Sequence, residues 1–155
     1  MIDLHIHSTA SDGSFSPFDI LDLANQSGVS VVSITDHDTI DGVKQLFEHP
    51  LPVHPELITG VEMSCTPPDE FKHLGSIHLL GYGFSLYDRQ LNAIFDAARR
   101  SREQRNPEII EKLNALGIEI AMADVINRFS AEQIGRPHIA EVMKEKGYVS
   151  SFREA

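Results

Sequence analysis

The chain has 155 residues, of which 41% are hydrophobic and 23% are charged, and this balance predicts a globular domain with a proper core. The formal net charge of −10 argues against a protein that binds nucleic acid by neutralising many phosphates, because that requires a basic face. The single cysteine, Cys65, excludes an internal disulfide framework. We find no signal peptide or membrane-spanning stretch, so we expect a cytoplasmic location.

The first half of the chain predicts alternating strands and helices. Residues 2–7 alternate apolar and polar side chains, which is typical of a strand. Ser16 and Pro17 predict a helix start, with Ser16 as the N-cap and an end near Gly28. Further strands are predicted at 29–35, 57–64 and 76–84, and a short helix at 39–47. This alternation implies parallel strands joined by right-handed crossovers.

The second half of the chain predicts helices only. Residues 88–116 form one long helical pattern, which Pro107 is expected to kink or split. Shorter helices are predicted at 122–129 and 136–146, and residues 150–155 resemble the start of another helix. We therefore predict two parts, an α/β metal-binding part at residues 1–87 and a helical part at residues 88–155.

Histidines and carboxylates follow the predicted strands. His5 and His7 end the first strand, the Asp36-His37-Asp38 segment follows the second, Glu62 ends the third and His78 lies in the fourth. Ligands of parallel α/β folds bind at the carboxyl ends of strands, so these side chains are expected to converge there. His5 and His7 point to the same face of a strand and can meet one cation.

The donor types suit a divalent metal such as Zn, Mn or Fe, and neighbouring metals of this kind activate water and hold a phosphoryl group. Each residue also has a simpler interpretation. Asp12 could be a turn residue before Gly13, Asp38 could be the N-cap of the next helix, and His78 could be a core histidine. Their joint placement favours the metal site. Three further histidines and the cysteine have no partner at ligand spacing: His49, His54, His73 and Cys65.

Several segments together resemble the PHP (polymerase and histidinol phosphatase) family. Residues 3–13, 34–39 and 60–62 and the segment around His78 are similar to its successive motifs. Residues 135–140 resemble a subgroup that removes phosphate from nucleoside 3′,5′-bisphosphates, some members of which also trim RNA 5′ ends.

The resemblance implies an α/β fold that is the N-terminal portion of a distorted (β/α)₇ barrel with a helical insertion subdomain. It implies up to three divalent metals, with His5, His7 and Glu62 at one, Glu62 and His78 at a second, and Asp12 and His37 at a third. A metal-bound hydroxide would attack phosphorus, and no other catalytic residue is implied. Arg136 and His138 match residues that help to hold substrate phosphates.

The chain departs from this pattern at its C-terminal end. Family members supply another histidine and an Asp-x-His pair from later strands, whereas here no histidine follows His138. We therefore expect the chain to stop before the C-terminal barrel strands, to bind fewer than three metals, and to self-associate over the uncovered sheet edge.

The expected function is a metal-dependent phosphoesterase (a phosphatase of the hydrolase class) acting on a small nucleotide or an RNA 5′ end, and the acidic charge favours the small substrate. Three alternatives stay open: a metal-binding fragment with little activity, a non-enzymatic module of a polymerase, and an amidohydrolase that cleaves C–N bonds.

Overall fold

The computed structural model describes residues 1–129 and 133–155. Its first sheet is parallel, with strand order β1-β2-β3, and consists of β1 (Ile2–Ile6), β2 (Val31–Ile34) and β3 (Glu56–Leu57). Helix α1 (Pro17–Gln26) connects β1 to β2, and helix α2 (Asp41–Phe47) lies between β2 and β3. The predicted mixed α/β fold with a parallel sheet is confirmed.

The start of α1 is fixed by its own sequence, as predicted. The Ser16 hydroxyl accepts a hydrogen bond from the Asp19 N–H at 3.1 Å, and the Asp19 carboxylate accepts one from the Ser16 N–H at 3.2 Å. Pro17 occupies the first turn, where its missing N–H costs nothing. The helix ends before Gly28, which adopts a left-handed φ of 70°.

The predicted third strand is in fact two strands. Residues 58 and 59 separate β3 from β4 (Gly60–Cys65), which pairs with β5 (Ile77–Tyr82) in a two-stranded antiparallel sheet. The expectation of parallel pairing was wrong for β5. A parallel crossover needs about a dozen or more residues, whereas the connection at 66–76 is shorter and holds only a 3₁₀ turn (Asp69–Leu74).

The first half of β4 nevertheless lies alongside the segment that follows β2. The Glu62 N–H donates to the Asp36 carbonyl at 3.1 Å, and the Asp38 N–H donates to the Glu62 carbonyl at 2.9 Å. These two bonds place His37 and Glu62 opposite each other in a parallel bridge. The bridge joins the two sheets at the point where the predicted metal donors occur.

The second half is helical, as predicted, and comprises α3 (Arg89–Ala115), α4 (Met122–Arg128) and α5 (Arg136–Glu145). Helix α3 is capped by the Asp88 carboxylate, which accepts from the Leu91 N–H at 2.8 Å, and it continues through Pro107 without a break. Residues 150–155 form turns, so the predicted final helix was wrong. Within the described ranges, no helix has the length and apolar character needed to cross a membrane.

Three hydrophobic clusters lie among the residues that the structure describes. The first lies between α1 and the parallel sheet, around Val32, Ile34 and Leu46. The second lies among α3, α4 and α5, around Val125 and Ile139. A third cluster packs α2 and β4 against the start of α3: Ile40, Val43, Val61, Leu86 and Phe95. The division of the chain at residue 87 stays a prediction.

Candidate metal centre

The structure brings together all six side chains predicted to hold metal. They form three overlapping groups in which the nitrogen and oxygen atoms of each group lie within 4.8 Å of one another. The groups are His5, His7 and Glu62, then His7, Asp12 and His37, and then His37, Glu62 and His78. From the sequence, His7 and His37 are expected at one metal each, whereas in the structure each of them belongs to two groups.

The Glu62 carboxylate is the centre of this cluster, and its side chain is only 8% exposed. Its Oε2 lies 2.9 Å from His5 Nε2, 2.8 Å from His7 Nε2 and 3.6 Å from His37 Nδ1. Its Oε1 lies 2.8 Å from His78 Nδ1. The two oxygens thus face different imidazoles, which is the arrangement that lets one carboxylate serve two cations.

His78 reaches the cluster because β5 is antiparallel to β4. It pairs with Ser64, two residues beyond Glu62 on the same face, so it is a diagonal neighbour of Glu62. The prediction placed His78 near Glu62 for a different reason, since it assumed that all strands were parallel. Tyr82, at the far end of β5, donates from its hydroxyl to the Leu4 carbonyl at 2.8 Å and ties β1 to this hairpin.

Asp12 forms the other side of the cluster. Its Oδ1 lies 2.8 Å from His7 Nδ1, and its Oδ2 lies 3.7 Å from His37 Nε2. Burial raises the pKa of Asp12, but the hydrogen bond from His7 and the charges of His37 and His7 outweigh it and lower that pKa to about 2. The same hydrogen bond, which Asp12 accepts, raises the pKa of His7 above its ordinary value, against the effect of burial.

The residues fit a metal centre. His37 Nδ1 is buried and has no hydrogen-bond partner among the described residues, although a neutral imidazole nitrogen in such a place normally has one. Burial lowers the pKa of His37, so its ring stays neutral and keeps a lone pair for a cation. For Glu62, the opposing effect of burial is outweighed by the hydrogen bonds and charges of its histidines, and its pKa is lowered.

Asp36 positions the loop that carries Asp12, a role that the sequence did not reveal. Its buried carboxylate accepts from the Ser8 N–H at 2.7 Å, the Ser8 hydroxyl at 2.6 Å and the Ser11 hydroxyl at 2.6 Å. Gly42 leaves the space for this carboxylate, since a Cβ there would lie 2.4 Å from Asp36 Oδ2. Asp36 therefore connects the end of β2 to the turn after β1.

Asp38 is not the N-cap of α2 as predicted, because Ile40 holds that position without a side-chain hydrogen bond. Asp38 instead has a left-handed φ of 55°, and its carboxylate binds β4 and α3 rather than the start of α2. Its Oδ1 accepts from the Ser64 N–H at 2.6 Å, and its Oδ2 accepts from Arg102 Nε at 3.0 Å. Burial raises the pKa of Asp38, but the hydrogen bonds from Arg102 and Ser64 dominate and lower it.

A cleft of about 130 Å³ lies beside the metal cluster. Asp12, His37 and His78 line one side of it, whereas Arg102, Arg105 and Arg136 line the helical side. Burial and the charges of Arg136 and Arg102 lower the pKa of Arg105, as expected where cations gather without enough anions. The cleft therefore joins a site for cations to a wall that favours anions.

Arg136 and His138, the predicted substrate residues, occupy different positions. Arg136 is exposed and lines the cleft. His138 is buried, its Nδ1 accepts from the Gly135 N–H at 2.9 Å, and its ring packs 4.7 Å from the Phe129 ring. Burial lowers the pKa of His138, and the side chain lines a neighbouring cavity together with Asp12. Their roles in binding substrate stay predictions.

Two cleft residues, Arg102 and Arg105, were not singled out from the sequence. They lie in a charged stretch of α3 that also contains Arg99 and Arg100, and composition alone does not separate the four. Spacing was the available signal and narrows the choice only in part, because Arg99, Arg102 and Arg105 are three residues apart and share one face of a helix, whereas Arg100 does not.

Comparison with known proteins gives a consistent picture. Residues 3–94 match the PHP domain. The chain is 35% identical over 153 residues to a 5′-3′ exoribonuclease of Haemophilus influenzae, covering 99% of this chain and 54% of the relative. It is 29% identical over 154 residues to a 3′,5′-nucleoside bisphosphate phosphatase of Chromobacterium violaceum, covering 98% of this chain and 52% of the relative.

A solved structure with a similar fold is that of an amidohydrolase from Chromobacterium violaceum, which has sulfate and no metal bound. The TM-score is 0.85 at 27% identity, and the match covers 98% of this chain and 52% of the other. The chain thus spans about half the length of the curated relatives it matches.

Proposed function

Given that the chain belongs to the PHP domain family, we propose that it is the part of a metal-dependent phosphoesterase that holds the metals and one wall of the substrate cleft. The reaction is hydrolysis of a phosphate monoester, with a small nucleotide such as a nucleoside 3′,5′-bisphosphate preferred over an RNA 5′ end. The arrangement is the N-terminal portion of a distorted (β/α)₇ barrel followed by a helical insertion.

The observation that carries this proposal is the cleft, in which three of the six metal donors, Asp12, His37 and His78, face three arginines. Mixed imidazole and carboxylate ligands favour Mn, Fe or Zn over Ca or Mg. Divalent ions held there would activate water and offset the charge of a phosphoryl group. A neutral amide substrate would give the arginines no such partner.

The chain's own residues would divide the work. Asp12 and Glu62 stay ionised at neutral pH, because their pKa values are lowered, and are available to bind cations. His37 stays neutral for the same purpose. Arg136, exposed at the mouth of the cleft, is suited to a bidentate grip on a phosphate.

The net charge of −10 supports a small substrate, because a long RNA would have to approach an acidic surface. The relatives do not distinguish a small nucleotide from an RNA end, since one is named a bisphosphate phosphatase and another an exoribonuclease.

The test is release of phosphate from adenosine 3′,5′-bisphosphate by the Mn-loaded protein, with His7→Ala as the variant. The exposed His73→Ala is the matched control, because His73 lies outside the donor groups. We expect His7→Ala to release no phosphate and the control to release it at the wild-type rate. Equal activity of His7→Ala and wild type would contradict the proposal, as would hydrolysis of amides without any phosphate ester.

The same assay distinguishes the remaining alternatives. Faster turnover of a 5′-phosphorylated oligoribonucleotide would favour the RNA-end substrate. Metal bound without turnover would favour a catalytically weak fragment. Elemental analysis of the purified protein then counts metals per chain, and fewer than three are expected.

A further inference from the structure

The side chains of Asp38 and Arg102 connect the two halves of the cleft, and neither belongs to the predicted metal or substrate residues. Arg102 comes from the middle of α3, whereas Asp38 directly follows His37. Both side chains are largely buried, at 7% exposed for Asp38 and 14% for Arg102. Removing one partner of such a buried ion pair strongly destabilises a protein, because the other partner is left as an uncompensated buried charge.

The Asp38 carboxylate accepts hydrogen bonds from two nitrogens of the Arg102 guanidinium. Nε donates to Asp38 Oδ2 at 3.0 Å, and Nη2 also contacts Oδ2 and lies 3.3 Å from the Ser64 hydroxyl. The third nitrogen, Nη1, points towards Gly135, where it would lie 3.5 Å from a Cβ if one were present. Nη1 has no hydrogen-bond partner among the described residues, and Arg102 lines the cleft.

Asp38 is itself fixed by the metal-binding side of the molecule. Its N–H donates to the Glu62 carbonyl, and its Oδ1 accepts from the Ser64 N–H at 2.6 Å. Its left-handed backbone is a conformation that aspartate and asparagine tolerate better than most residues. The position of Arg102 is thus tied to the strand that carries Glu62.

We propose that Asp38 is a positioning residue that orients the Arg102 guanidinium so that its Nη1 binds an oxygen of an anionic ligand in the cleft. The inference rests on the proposed function for the identity of that anion, a phosphate group of the substrate. Asp38 itself does not touch the ligand. Its carboxylate is occupied by Arg102 and Ser64 and acts on the ligand only through Arg102.

A double-mutant cycle tests this role. Asp38→Asn keeps an acceptor for the Ser64 N–H and tolerates the left-handed backbone, but it removes the charge that holds Arg102. Arg102→Gln removes the guanidinium. Binding of inorganic phosphate to the Mn-loaded protein is measured by calorimetry for both variants, the double variant and Arg99→Gln, a control in the exposed Arg99–Asp96 pair one turn away.

We expect the two single variants to bind phosphate about tenfold more weakly, which is the loss of one charge-assisted contact. The double variant should be no weaker than Arg102→Gln, and Arg99→Gln should match wild type. Substrate turnover should show a raised KM with kcat changed less than KM. Bound metal, counted by elemental analysis, should be unchanged, since none of the six donors is altered. Arg102→Lys should not restore binding, because lysine lacks the planar fork that Asp38 grips.

Additive losses in the double variant would overturn the inference, because they would show that Asp38 acts independently of Arg102. Loss of metal in Asp38→Asn would overturn it too, by assigning Asp38 to the metal centre. The inference would also be overturned if the Mn-loaded wild-type protein bound no phosphate. Phosphate binding that follows the expected cycle without any ester hydrolysis would instead refute the proposed function and leave the role of Asp38 intact.

Discussion

Replacing Asp36 by alanine tests how the metal-binding loop is held in place. The carboxylate is buried and accepts three hydrogen bonds, two from Ser8 and one from Ser11. The Ser8 and Ser11 donors would be left without a partner, and a net contribution of about 1–2 kcal/mol for each of the three bonds gives a loss of about 3–6 kcal/mol. For a chain of this size, that loss lowers Tm by about 10 °C.

The same change should weaken metal binding, although Asp36 is not itself among the donor groups. Ser8 anchors the turn through its carbonyl, which accepts from the Ser11 and Gly13 N–H groups at 3.0 and 2.9 Å. Releasing Ser8 therefore releases Asp12, and ordering Asp12 again on binding costs free energy. We expect Mn affinity to fall by about tenfold or more, as measured by calorimetry at a temperature where the variant is still folded.

The matched control is Asp22→Asn, an exposed position on α1, which should change Tm by about 1 °C or less. The reasoning about Asp36 would be refuted by a Tm within about 2 °C of wild type. It would also be refuted by a destabilised variant with unchanged Mn affinity, since the loop would then not depend on this carboxylate.

Three further changes have defined outcomes. Gly42→Ala would place a Cβ 2.4 Å from Asp36 Oδ2 and should cost about 1–3 kcal/mol in chemical unfolding, whereas Gly81→Ala, with its nearest contact at 3.4 Å, should cost less than about 1 kcal/mol. Ser16→Ala removes the N-cap of α1 and should lower the free energy of unfolding by about 1 kcal/mol without changing the metal content. Metal affinity should fall as pH is lowered from 8 to 6, because the raised pKa of His7 means that it keeps its proton to higher pH and must lose it before binding. The affinity should change by about tenfold per pH unit for each proton displaced, and an affinity independent of pH over this range would contradict the assignment of His7 as a ligand.

The local signals in the sequence were reliable where one short segment decides the structure. Ser16 and Pro17 predicted the start of α1, because a cap depends only on its own first turn. Residues 88–116 predicted α3 to within one residue at each end. The pairing of β5 was not predictable from periodicity, because alternation of apolar and polar residues is the same in parallel and antiparallel strands.

In the candidate site, too, the features set by a short segment were predictable and those set by distant partners were not. His5 and His7 were predicted to converge because residues i and i+2 share one face of a strand, and their ring centroids lie 5.3 Å apart. Asp36 and Asp38 were harder to interpret, because their partners Ser8 and Arg102 are distant in sequence. Whether an aspartate is a cap, a hub or an ion-pair partner depends on packing that no local pattern encodes.

The order of the predicted donors along the chain has a consequence for biosynthesis. All six lie between residues 5 and 78, ahead of α3 and its arginines. A nascent chain leaving the ribosome therefore presents the whole donor set on the order of seconds before Arg102 emerges, at about 5–20 residues per second. Metal captured at that stage would order β1, β4 and β5 first, and α3 would then close over a template that already exists.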